Sequence, residues 1–124
     1  MRRSENEQVV EHAQHLHPAD IPRFAQLGVI ASMQANHATS DGPFVVQRLG
    51  QRRAKEGAYA WRSLLDAKAV VINGTDVPVE RIDPLACFFS AVTRRMAGGA
   101  EFFPEQAMSR QEFVDLIEFL AAQK

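Results

Sequence analysis

Three short apolar runs, each followed by a polar stretch and then a helical pattern, constrain this chain most. Val9-Val10-Glu11-His12, Val29-Ile30-Ala31-Ser32-Met33 and Val70-Val71-Ile72 are rich in β-branched residues and too short for buried helices. Between the first two, Pro18 and Asp20 open a helix that runs through Phe24 and Leu27, with Gly28 as its stop. After the second run, Gln34 to Pro43 reads as a polar loop of turn formers. Phe44 to Ala67 is helical in pattern, with a break near Gly50 or Gly57. After the third run, Asn73-Gly74-Thr75-Asp76 turns the chain, and Asp83-Pro84 opens a helix with Leu85, Phe88, Phe89 and Val92 on one side. A capping-box pattern at Ser109-Arg110-Gln111-Glu112 starts the last helix, whose apolar face is Phe113, Leu116, Ile117 and Leu120. Alternation of this kind predicts an α/β fold with a parallel sheet and right-handed crossovers.

The chain has 124 residues and a formal net charge of −1. That suits one domain and gives no long-range attraction to nucleic acid or an anionic membrane. No apolar run reaches the roughly 18 residues of a membrane span. The polar start, Met1 to Gln8, has no apolar signal core. The single cysteine, Cys87, lies in an apolar stretch and reads as a buried small hydrophobe, compatible with a reducing cytoplasm. Gln51-Arg52-Arg53-Ala54-Lys55-Glu56 reads as a solvated helix face rather than a phosphate-binding patch.

In parallel sheets, functional loops follow the C-terminal ends of strands. His12 ends the first run, Gln34, His37 and Asp41 follow the second, and Asp76 follows the third. A neutral imidazole and a carboxylate from such ends could hold a divalent metal, and the carboxylate could accept a proton from activated water. The same residues also admit plain structural roles: His12 as a hydrogen-bonded strand end, Asp76 as a turn cap. His15 and His17 have the spacing of a metal pair on a strand. Pro18 and Asp20 follow at once, so they read as surface or capping residues.

Five blocks occur in one order: Glu11-His12-Ala13-Gln14; Gly28 to Gln34; His37-Ala38-Thr39-Ser40-Asp41; Ala58 to Ala67; and Gly74-Thr75-Asp76-Val77-Pro78-Val79-Glu80. Together they resemble the C-terminal part of amidohydrolase family 3, in the metal-dependent amidohydrolase superfamily. The resemblance implies a partial (β/α)₈ TIM barrel: about three parallel βα units, strands six to eight, plus a C-terminal amphipathic helix. It implies a single partial-barrel domain over 1–124, with 1–8 unmatched, 9–112 amidohydrolase-like, and 113–124 a divergent helix. His12 would be a metal ligand, and Asp76 both metal ligand and catalytic acceptor for the attacking water. His37, Gln34 and Asp41 would face the substrate.

The implied reaction is hydrolysis of amide or related C–N bonds in a small molecule, with a divalent metal, zinc in the first instance. Ala35 stands where the family usually has Pro, and Lys68 where it usually has Gly at a helix end that needs positive φ. The superfamily's strand-one His-x-His, strand-four lysine and strand-five His have no counterpart here. A whole barrel takes about 250 residues, and three strands leave two unpaired edges and an open inner face. The expectation is therefore a truncated, rearranged or engineered hydrolase segment, cytoplasmic and inactive as an isolated chain. The alternative is a non-catalytic module that self-associates through its edges.

Overall fold

The computed structural model describes residues 8–123. The three apolar runs form β1 (Val9–Glu11), β2 (Ile30–Met33) and β3 (Val71–Asn73), joined as one parallel sheet in the order β1-β2-β3. Val9 pairs with Ile30 and Glu11 with Ser32; Ala31 pairs with Val71 and Met33 with Asn73. That register brings the ends of all three strands to one side. The predicted α/β class and parallel sheet are as expected, and the polar start at residues 1–7 lies outside the described residues.

Among the described residues six α-helices accompany the sheet: α1 (Ile21–Leu27), α2 (Ala35–Leu49), α3 (Gln51–Gly57), α4 (Trp61–Asp66), α5 (Pro84–Thr93) and α6 (Arg110–Ala121). A 3₁₀ turn at Pro18–Asp20 leads into α1, and Gly28 stops it with φ 66°. Asp83 caps α5 by accepting from Ala86 N at 3.0 Å. Ser109 and Glu112 form the full capping box of α6. Lys68 closes the α4 connection at φ 66°, the left-handed conformation that favours glycine.

Two expectations are corrected. The polar stretch Gln34 to Pro43 is not a loop: α2 begins at Ala35 and continues through Pro43. Tertiary contacts override local propensity there. Asn73 Oδ1 accepts from Ala35 N at 2.8 Å, and Thr39 Oγ1 donates back to Asn36 O at 3.1 Å. Ala35 and Ala38 are buried, so the first turn of α2 is held by packing. The second correction concerns α5. Leu85 is 78% exposed and Phe89 49% exposed, whereas Cys87, Ser90, Ala91 and, just past the helix, Arg94 are buried. Those four follow an i, i+3, i+4, i+7 stripe of mostly small residues, which lets α5 approach α2 closely. Ser90 Oγ donates to Asn36 Oδ1 at 3.0 Å across that contact.

The core centres on Tyr59, Trp61, Leu64 and Met33, with Phe24, Phe113 and Leu116 closing over it. Arg94 is fully buried among them. Its guanidinium lies 4.5 Å from the centre of the Trp61 ring and donates to the carbonyls of Phe102 (2.7 Å) and Tyr59 (2.8 Å). Burial pushes it down to about 10. Cys87 is buried as expected, and burial pushes its thiol up. Among the described residues no helix is long and apolar enough to cross a membrane.

Candidate metal centre

The parallel register carries His12, His37 and Asp76 to neighbouring positions. His12 follows β1 directly, His37 sits in the first turn of α2 after β2, and Asp76 lies in the turn after β3. One ligand atom from each of the three lies within 4.8 Å of the other two. Asp76 Oδ2 is 3.3 Å from His37 Nε2 and 4.0 Å from His12 Nε2. The two imidazole rings stack with centroids 5.8 Å apart. The His37 side chain is 9% exposed, whereas those of His12 and Asp76 are 45% and 38% exposed, so the cluster opens to one side.

Each histidine is oriented through its other nitrogen. His12 Nδ1–H donates to Gln34 Oε1 at 2.8 Å, and His37 Nδ1 lies 3.2 Å from Glu80 Oε1. Ser40 Oγ donates to that same Glu80 oxygen at 2.8 Å. Both ring nitrogens of His37 therefore face a carboxylate oxygen, and His12 Nε2 also looks toward Asp76 Oδ2. Electron pairs gathered this closely repel unless a cation lies among them, a proton on one imidazole or a metal ion. Two donors about 2.1 Å from a tetrahedral zinc stand about 3.4 Å apart, near the His37–Asp76 separation of 3.3 Å and somewhat inside the His12–Asp76 separation of 4.0 Å. The donor set therefore fits a divalent ion. The orienting amide and carboxylate are the outer partners that metal-ligating histidines usually have.

The backbone is strained at this same place. His12 has φ 68°, Ala13 φ 43° and Asp76 φ 54°, all in the left-handed region without being glycine. Each such residue costs about 1–3 kcal/mol and persists where the surroundings over-determine it.

All five residues singled out from the sequence are accounted for. His12, His37 and Asp76 come together. Gln34 is buried and holds His12. Asp41 lies one turn beyond His37 on α2, where the Tyr59 hydroxyl donates to its Oδ2. Burial, and then Asp41, pushes the Tyr59 phenol up. His17 caps the 3₁₀ turn by accepting from Ala19 N at 3.2 Å, and His15 packs edge-on against Tyr59. Sequence reasoning missed Glu80 and Ser40 as partners. Ser40 lies three residues after His37 on α2, a helical spacing that was available as a signal, whereas Glu80 lies in the turn after β3 and had none.

The chain is 42% identical over 85 residues to Protein LONG AFTER FAR-RED 3 of Arabidopsis thaliana and 38% identical over 84 residues to the putative amidohydrolase YtcJ of Bacillus subtilis. Each match covers 68% of this chain, which spans only 15% and 16% of those proteins' lengths. Two solved structures share the fold, both described as uncharacterized metal-dependent hydrolases. The one from Pyrococcus furiosus has TM-score 0.74 at 30% identity, over 87% of this chain and 21% of that one. The one from Pyrococcus horikoshii has TM-score 0.76 at 28% identity, over 86% and 22%. The three parallel βα units are thus part of a TIM barrel, and, with the amidohydrolase family model matching residues 2–123, the chain belongs to the amidohydrolase family.

Proposed function

We propose that this chain is one wall of a metal-dependent hydrolase site acting on amide or related C–N bonds of a small molecule. The observation that carries the reading is the convergence of His12 Nε2, His37 Nε2 and Asp76 Oδ2 at three strand ends. His12 and Asp76 would hold the divalent ion, zinc being the natural choice for nitrogen and carboxylate donors. A bound ion of this kind supplies Lewis acidity, polarising the scissile carbonyl and making water a better nucleophile.

The chain's own residues do the rest. Asp76 accepts a proton from the attacking water at its exposed carboxylate edge. Gln34 keeps the His12 ring in the tautomer that leaves Nε2 free. His37, steadied by Glu80 and Ser40, faces the substrate beside Asp76. Asp41, anchored by Tyr59, lies further along the same helix and borders the substrate.

The isolated chain is proposed not to turn over, because its cluster is open on the side away from these three strands. A second reading, self-association, is favoured by one observation. Val9 and Val10 on the β1 edge are 46% and 41% exposed, so among the described residues an apolar strand edge is uncovered.

The test is hydrolysis of an N-acyl amino acid panel by the zinc-loaded chain, alone and co-expressed with the remaining barrel segment of a relative. Turnover only in the co-expressed form, lost in Asp76→Asn, supports the reading. Turnover by Asp76→Asn at the parent rate contradicts it. Sedimentation of the chain alone decides the second reading, and a monomer at high concentration removes it.

A further inference from the structure

A second cleft lies apart from the metal cluster, between the loop after β1 and helix α3. It has a volume of about 410 Å³ and is lined by Leu16, Pro18 and Leu49 together with His17, Arg52, Arg53 and Glu56. The two parts of the wall are fastened at one point. Leu16 N donates to Gly57 O at 2.9 Å, and a Cβ on Gly57 would stand 1.9 Å from Leu16 O. Only glycine permits that approach, so the cleft is built into the fold.

The rim is cationic in a specific way. Arg52 Nη1 donates to Glu56 at 3.2 Å, so that pair is internally neutralised. Arg53 donates only through Nε, to Leu49 O at 2.7 Å. Among the described residues its two Nη groups have no partner, and they carry the cleft's net charge. His17 accepts at Nδ1 from Ala19 N, which puts its hydrogen on Nε2 as a further donor. Burial pushes the His15 imidazole on the inner side down, with Asp41 opposing.

A walled apolar volume with one unspent guanidinium and one imidazole N–H fits a molecule with an apolar body and a single anionic head. The volume lies within the usual range for small-molecule sites. We propose that this cleft binds a small amphipathic monocarboxylate, its chain against Leu16 and Leu49 and its carboxylate on Arg53 and His17. The proposal stands independently of the metal cluster, with which the cleft shares no residue.

Titration of the ¹⁵N-labelled chain with hexanoate, hexanol and inorganic phosphate tests it. Hexanoate is expected to give saturable shifts at Leu16, His17 and Leu49, and to bind about tenfold or more tightly than hexanol. Arg53→Gln, an exposed substitution, is expected to weaken hexanoate roughly tenfold while leaving hexanol and the overall spectrum unchanged. Equal binding of hexanoate and hexanol, or of hexanoate and phosphate, would overturn the proposal. So would an unchanged hexanoate affinity in Arg53→Gln, or the absence of shifts at the cleft.

Discussion

Asp76 Oδ2 stands 3.3 Å from His37 Nε2, although the two residues are 39 positions apart in sequence. They meet because β2 and β3 are parallel neighbours in register, so that the segments leaving Met33 and Asn73 must share one end of the sheet. The first residue of α2 is tied to β3 by the Asn73 side chain, which sets where His37 points.

Glu112 links the last helix to α4. Arg62 holds its carboxylate through both Nη groups, Nη1 donating to Oε1 at 2.7 Å, and Ser109 N donates to Oε2 at 2.7 Å. The Arg62 hydrogen bonds, with help from Ser109, hold the carboxyl at about 2 instead of 4.5. A lowered folded value means the stabilisation is complete above about 4.5 and is lost as pH falls through about 2. Glu112→Gln is expected to cost roughly 1–2 kcal/mol at neutral pH by urea denaturation. It should also flatten the acid limb in that window. An unchanged acid limb would show that the pair contributes nothing.

Arg94→Ala is expected to cost about 3–5 kcal/mol. It removes the donors to Tyr59 O and Phe102 O and opens a cavity against Trp61. Arg94→Lys should recover less than half, since an ammonium cannot span two carbonyls while stacking on the indole. Thermal melts of both variants check this, and a fully stable Lys variant would contradict it.

Lys68 occupies a left-handed position at φ 66°, and its side chain is exposed. Lys68→Gly should stabilise the fold by about 1 kcal/mol, measurable as a higher urea midpoint. A lower midpoint would mean the lysine makes an interaction that outweighs its backbone strain.

Much of this was legible in the sequence, because local signals and tertiary structure agreed. Short β-branched runs, the Gly28 stop, the Asp83-Pro84 start and the Ser109 capping box each name their own element. Lys68 fell where glycine was expected, and its φ is that of a glycine position. The illegible part depends on partners distant in sequence. Helix α2 runs through turn formers and Pro43 because Asn73 and α5 hold it. The α5 stripe was misassigned because its largest residues, Leu85 and Phe89, face outward while small ones pack. At the candidate metal centre, His12 and Asp76 were visible as strand-end polar residues. The inclusion of His37 and the support of Glu80 and Ser40 required the sheet register.

The central claim is that His12 and Asp76 hold one cation, with His37 beside them. The most direct measurement is metal stoichiometry and affinity of the purified chain by competitive zinc titration, with His12→Ala, His37→Ala and Asp76→Ala alongside. One zinc per chain, weakened at least tenfold by His12→Ala and by Asp76→Ala, and less by His37→Ala, while the fold is retained, is the predicted result. A parent chain that takes up no zinc, or variants that bind as the parent does, would contradict it.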